Sequence, residues 1–150
     1  MDGDENGGWE IAASYQYQPG GLIGFGTNLF YNGDPSNICS HGHTLSQWFD
    51  TSGFVTASAQ QAASFQAAVF PAYIAGCRAD NTNLLNASAL RDFRFFERAS
   101  LQLRLDALNV ANHPQFAGPN TSPTSSQFGQ ITSQTSQINR LIEIQARIVF

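Results

Sequence analysis

Ile138-Asn-Arg-Leu-Ile-Glu-Ile-Gln-Ala-Arg-Ile-Val-Phe150 alternates by residue type up to an aromatic end. In an extended chain, Ile142, Ile144, Ala146, Ile148 and Phe150 fall on one side and Leu141, Glu143, Gln145, Arg147 and Val149 on the other, because successive strand side chains point to opposite faces. Wrapped at about 3.6 residues per turn, the isoleucines would scatter around a helix and lose χ1 freedom. The stretch is therefore a β-strand with one apolar and one mainly polar face. Such a strand suits either the core of a soluble sandwich or a bilayer, where the apolar row meets lipid and the polar row a wet lumen.

Composition favours the second setting. The 150 residues suffice for one domain with a core. Only 12% are charged, against about 25% in a typical soluble protein, and all seven basic residues are arginines. A charge-poor chain rich in Ser, Thr, Asn, Gln and aromatics fits a wall with one apolar and one uncharged polar side. The net charge of −4 and the dispersed arginines exclude a nucleic-acid partner. No run of about 18 apolar residues encodes a transmembrane helix, which leaves a barrel open. Met1 to Gly8 is acidic and Gly-rich, with neither the basic nor the apolar region of a secretory signal. Residues 1–7 are expected to be flexible, and the chain either stays in the cytosol or lacks its beginning. Cys39 and Cys77 permit one disulfide in an oxidising compartment, and two unpaired thiols fit the residues as well. Their position in one turn-rich region makes the disulfide the expectation.

Three more segments alternate. Trp9 to Gln18 places Trp9, Ile11, Ala13, Tyr15 and Tyr17 on one face, with aromatics at both ends, the distribution of rings at two membrane–water interfaces. Leu85 to Phe96 is less regular, and Arg91 interrupts its apolar side, so Arg91 must lie near an interface where its stem can snorkel. Ala99 to Val110 sets Leu101, Leu103, Leu105 and Ala107 against Gln102, Arg104, Asp106 and Leu108, after a tight connection at Phe95–Arg98. Leu22 to Tyr31 extends the first strand raggedly. Asn32 to Asn83 reads as a long loop in which Ser58 caps a short helix to about Phe70, with Ala62, Phe65, Ala68 and Val69 on one stripe. Asn112 to Gln137 is a second long loop. The expected fold is thus all-β: an antiparallel up-and-down sheet of about four strands in the order 1-2-3-4, with two long loops. Long and short connections alternate, as in a transmembrane barrel. Four strands cannot close a barrel, since the smallest have about eight, so the chain is expected to be part of one.

The run from Leu101 through Asn109-Val-Ala-Asn-His-Pro-Gln-Phe116, then Pro119-Asn-Thr, Ser125-Ser-Gln-Phe-Gly129, Ile131-Thr-Ser and the aromatic strand, resembles the C-terminal end of TonB-dependent outer-membrane receptors. More narrowly, it is similar to receptors that carry an N-terminal carboxypeptidase-regulatory-like domain. Gly8-Trp-Glu-Ile, Tyr17-Gln-Pro-Gly20, Gln47-Trp-Phe-Asp50 and Arg91-Asp-Phe93 resemble the same group. The resemblance implies the last strands of a plugged barrel of about 22 strands, a location in the bacterial outer membrane and a role in nutrient uptake. It implies as partners the rest of the barrel and its plug, the lipid bilayer, TonB through an N-terminal part, and the outer-membrane assembly machinery. For the last of these, the row Ile142, Ile144, Ala146, Ile148 and Phe150 matches the family's recognition signal. The other reading is a secreted or soluble β-rich ligand-binding module, which would stay monomeric in plain buffer.

Catalytic and metal sites are not expected, nor is a cofactor. Cys39, His41 and His43 lie within five residues, but no fourth ligand at a zinc-like spacing completes them. His113, in Asn-His-Pro, reads as a turn residue. Arg104, Asp106, Glu143 and Arg147 read as charges facing one another on adjacent strands of a lumen wall. No nucleophile triad, P-loop or dinucleotide fingerprint appears. The sequons at Asn86-Ala-Ser88 and Asn120-Thr-Ser122 are matches of pattern only.

Overall fold

A computed structural model describes residues 8–61, 67–96, 99–135 and 139–150. Residues 1–7, for which flexibility is expected, lie outside that range, as do Ala62 and Phe65 of the expected helix. Six strands are described: β1 (Glu10–Gln18), β2 (Leu22–Gly24), β3 (Tyr73–Arg78), β4 (Thr82–Phe96), β5 (Ala99–Leu108) and β6 (Leu141–Val149). They belong to two compact units. A sheet unit takes the described residues of Met1–Gln18, Thr82–Pro114 and Ser136–Phe150, and a loop unit takes those of Pro19–Asn81 and Gln115–Thr135.

In the sheet unit the four strands lie side by side in chain order, β1-β4-β5-β6, all antiparallel. Register follows the apolar pattern: a slip of one residue would turn every apolar side chain to the other face. Ile11, Ala89, Leu105 and Ile144 consequently form one row across all four strands. β4 starts three residues earlier than the alternation implies, because Thr82 and Asn83 pair with Gln18 and Tyr17. At the far end of β5, Asn109 and Asn112 adopt positive φ of 50° and 51°. Asn tolerates this left-handed region better than most residues. The buried Asn109 side chain donates to the His113 carbonyl at 3.1 Å and accepts from the His113 N–H at 3.0 Å, which ends the strand in a closed turn.

The loop unit is where sequence and structure part. Tyr73–Arg78 is a strand paired with β2, not loop. Gly76, at φ 89°, breaks the alternation, so Ile74 and Cys77 are both buried although three residues apart. The extension expected to Tyr31 is strand only over Leu22–Gly24. Of the helix expected from Ser58, the described start is a 3-10 turn, Ser58–Gln60, with Ala57 at its N-cap and no side-chain cap; Gln61 is extended. Ala68 and Val69 are not helical, and the Val69 and Phe70 N–H groups both donate to the Thr27 carbonyl. Every buried hydrophobic side chain among the described residues belongs to this unit, and all but Ile131 join one cluster built on Phe25, Phe49, Phe54 and Phe70. Phe54 lies at its centre, 4.8 Å from Tyr31, 5.1 Å from Phe128 and 5.5 Å from Phe70 between ring centroids. A Cβ on Gly20 would run into the Ala79 carbonyl, so the two chain ends of the β2–β3 pair approach only because that residue is glycine.

Candidate functional site

The sheet presents two chemically distinct surfaces. One carries Trp9, Ile11, Tyr15, Tyr17, Leu103, Leu105, Ile144 and Ile148, and all of these but the half-buried Leu103 are exposed, Ile11 by 74% and Ile144 by 76%. No buried hydrophobic residue underlies it among the described residues. Aromatics bracket this face, with Trp9, Phe93 and Phe150 toward the β4–β5 hairpin and Tyr15 and Tyr17 toward the other end. Trp9 and Tyr17 are eight residues apart on one strand. At about 3.4 Å per residue and a tilt of about 40°, this spans roughly 21 Å along a membrane normal, close to the apolar band of about 25 Å in outer-membrane barrels. The opposite surface carries Glu10, Ser14, Gln16, Asn86, Ser88, Asp92, Gln102, Arg104, Asp106, Glu143, Gln145 and Arg147.

Arg104, Asp106, Glu143 and Arg147 share the polar surface, and two of them, Asp106 and Glu143, face each other across adjacent strands, as like charges. Leu105 faces Ile144 in the observed register, which sets Asp106 opposite Glu143, Arg104 opposite Gln145 and Arg147 opposite Gln102. Arg104 reaches instead along its own strand, its Nε donating to Asp106 Oδ2 at 2.7 Å and Nη2 to Oδ1 at 3.1 Å. The bidentate contact offsets the like-charged pair beside it. These four residues share a face without converging on a reaction centre.

On the apolar surface Arg91 stands out. Its guanidinium carbon lies 5.4 Å from the Trp9 ring centroid and 4.8 Å from that of Phe93, within cation–π range of both. Its Nε is buried and has no hydrogen-bond partner among the described residues. The irregularity at Arg91 is visible in the sequence; its contact with Trp9 requires the β1–β4 register.

The loop unit contributes a cleft of about 350 Å³ lined by Ile38, His41, Gly42, Gln47, Phe49 and Asp50. Asp50 accepts the Ser52 N–H at 2.9 Å, which holds its carboxyl below the usual range, helped by the Ser52 hydroxyl and the nearby His41. Asp34 is lowered in the same way by the Ser36 N–H and hydroxyl. Burial, then the charges of Asp50 and Asp34, push the Tyr31 phenol upward. Cys39 and Cys77 are joined in a disulfide, with Cα atoms 5.2 Å apart, so Cys39 offers no thiolate. His43 stacks on Trp48 at 5.1 Å and donates from Nδ1 to the Trp48 carbonyl at 2.6 Å, while Trp48 Nε1 donates to the Arg78 carbonyl at 2.8 Å. Among the described residues no group of three or more His, Cys, Asp or Glu is placed to hold a metal ion. Both sequon asparagines have local partners: Asn86 Oδ1 accepts the Asn109 N–H, and Asn120 bonds Ser122 and Ser125.

Several residues that carry the sequence resemblance are parts of this architecture. Trp48, Phe49, Phe128 and Gly129 pack or tie the loop unit: the Trp48 N–H donates to the Gly129 carbonyl at 2.8 Å, and the Ile131 N–H to the Leu45 carbonyl at 2.8 Å. Gly129 sits at φ 78°, where a Cβ would also meet the Thr51 methyl at 2.6 Å.

A sequence-family profile described as "Outer membrane beta barrel domain" matches residues 6–145, across both units. No curated protein and no solved structure matches the chain significantly.

Proposed function

This chain belongs to the outer membrane beta barrel domain family, and from that premise we propose that its sheet is part of the wall of a TonB-dependent receptor that takes up a nutrient across the bacterial outer membrane. The carrying observation is the open apolar surface bracketed by aromatics, which no described residue of the sheet unit covers. Lipid is the solvent that such a face requires. The long excursions both leave and rejoin the sheet at the Gln18–Thr82 and Leu108–Leu141 end, and the short hairpin closes the other. By the rule for outer-membrane barrels, the first end is extracellular and the second periplasmic. The sheet edges, β1 and β6, must pair with further strands, because an unmet backbone group in lipid costs several kcal/mol.

The receptor type rests on the resemblance of the Leu101–Gly129 and Gln47–Asp50 motifs. In that reading a plug and the remaining strands complete the transporter, TonB acts through the plug, and the row Ile142, Ile144, Ala146, Ile148 and Phe150 is read by the assembly machinery. The experiment is expression of the full chain followed by extraction in plain buffer and in detergent. Recovery that depends on detergent supports the membrane wall. A monomer in plain buffer with cooperative unfolding would overturn it and favour the soluble binding module.

A further inference from the structure

Arg91 is the one charged side chain on the apolar surface among the described residues. Its neighbours on the β4 and β1 backbones, Asp92 and Glu10, belong to the opposite surface, so no carboxylate of those strands compensates it on its own side. The one ion pair among the described residues joins Arg104 to Asp106. The rings of Trp9 and Phe93 flank the guanidinium, and Nε is buried, but an aromatic face stabilises a cation without cancelling its charge. Among the described residues no anion answers this arrangement. One that would answer it resides beside an apolar wall, level with the Trp9 and Phe93 belt, at the hairpin end of the sheet.

We propose that Arg91, held between Trp9 and Phe93, binds the headgroup phosphate of an anionic glycerophospholipid in the leaflet at the hairpin end. The proposal rests on the reading of the sheet as a membrane wall. A guanidinium presents a planar fork of donors that matches two phosphate oxygens, and the flanking rings sit against the glycerol and upper acyl chains. An anionic lipid is favoured over a zwitterionic one, whose own tethered ammonium competes for the phosphate.

The test uses the full chain with Trp48→Phe, which leaves Trp9 as its one tryptophan, in phosphatidylcholine vesicles containing a minority of phosphatidylglycerol. Bromine is placed on the acyl chains of one lipid at a time, and quenching of Trp9 is compared per molecule of brominated lipid. Phosphatidylglycerol should quench about fivefold more effectively, the preference expected of one basic residue at an anionic surface. Arg91→Gln should bring the ratio to one, and Arg91→Lys should keep part of it. The same ratio, read as the difference between the native chain and Trp9→Phe, guards against an effect of Trp48→Phe on the loop unit. A ratio of one in the native background, or a preference unchanged in Arg91→Gln, would overturn the proposal. Loss of the preference in excess inorganic phosphate would assign the site to a free anion and overturn the lipid. Quenching of Trp9 by neither lipid would overturn the membrane wall itself, a result distinct from equal quenching by both.

Discussion

Cutting the Cys39–Cys77 disulfide isolates the energetics of the loop unit, because both cysteines and everything they touch lie inside it. The bridge spans a sequence separation of 38, and the loop-closure relation for a ring of that size gives about 3.9 kcal/mol at 25 °C. Reduction is a cleaner perturbation than substitution by serine. Cys77 is fully buried, and a hydroxyl there would add about 1–3 kcal/mol for an unmet polar group. The assay is a urea titration of the full chain in detergent, with and without reductant, in two backgrounds. Trp9→Phe leaves Trp48 to report on the loop unit, where its indole N–H bonds the Arg78 carbonyl next to Cys77. Trp48→Phe leaves Trp9 to report on the sheet. With a urea slope of about 2 kcal/mol/M, the Trp48 midpoint should fall by roughly 2 M on reduction, while the Trp9 midpoint should hardly move. A fall below about 0.5 M in the Trp48 midpoint would refute the magnitude. Parallel movement of the two midpoints would refute the energetic separation of the units.

Leu103→Arg should destabilise the membrane-inserted sheet by about 2–4 kcal/mol, and Gln102→Arg, one residue away on the polar surface, by far less; refolding yield into bilayers compares them. Phe54→Ala, which opens a void among Tyr31, Phe70 and Phe128, should cost the loop unit about 3–5 kcal/mol, read from Trp48 emission in urea. For acid, the lowered carboxyls of Asp34 and Asp50 contribute stability that is complete above their unfolded value near 3.8 and is lost as pH falls through their lower folded values. For alkali, the raised Tyr31 contributes stability that is complete below its ordinary value of 10.0 and is lost as pH rises through the higher folded one. Loop-unit stability should therefore be flat with respect to these groups between those limits, and a loss centred near pH 6 would contradict their assignment.

The sheet was legible because its information is local. A period of two over nine or ten residues names a strand and its faces and excludes every register that slips by an odd number of residues, while the pairing of Leu105 with Ile144 comes from the structure. The loop unit was not legible because its core has no period. Phe25, Phe49, Phe54 and Phe70 are irregularly spaced and meet through contacts far apart in sequence, such as Trp48 with Gly129. β3 was hidden by Gly76, whose positive φ turns an alternating strand into one that buries positions 74 and 77. Of the helical stripe expected after Ser58, the described members Ala68 and Val69 are not helical: the Val69 and Phe70 N–H groups donate to the Thr27 carbonyl, a partner that no helical period announces. At the sites, the odd cation in the apolar row was plain from Arg91 alone. Its aromatic partner on β1 came only with register. On the polar surface the shared face of Arg104, Asp106, Glu143 and Arg147 was likewise legible, whereas which charges stand opposite, Asp106 and Glu143, came only with register.

The contrast between an open apolar face and a tightly filled aromatic cluster sets how each half tolerates change. Around Phe54 the neighbours are themselves anchored, so a lost ring leaves a hole that the surrounding solid closes only in part. Beside Ile144 the packing partner is a liquid, and acyl chains flow into whatever room a shorter side chain leaves. Trimming that row forfeits transfer free energy, about 0.8 kcal/mol per methylene, with no void to add to it. Drift should thus run through the outward row by total hydrophobicity, with shape almost free, whereas the stapled unit should hold the volume of each inward ring.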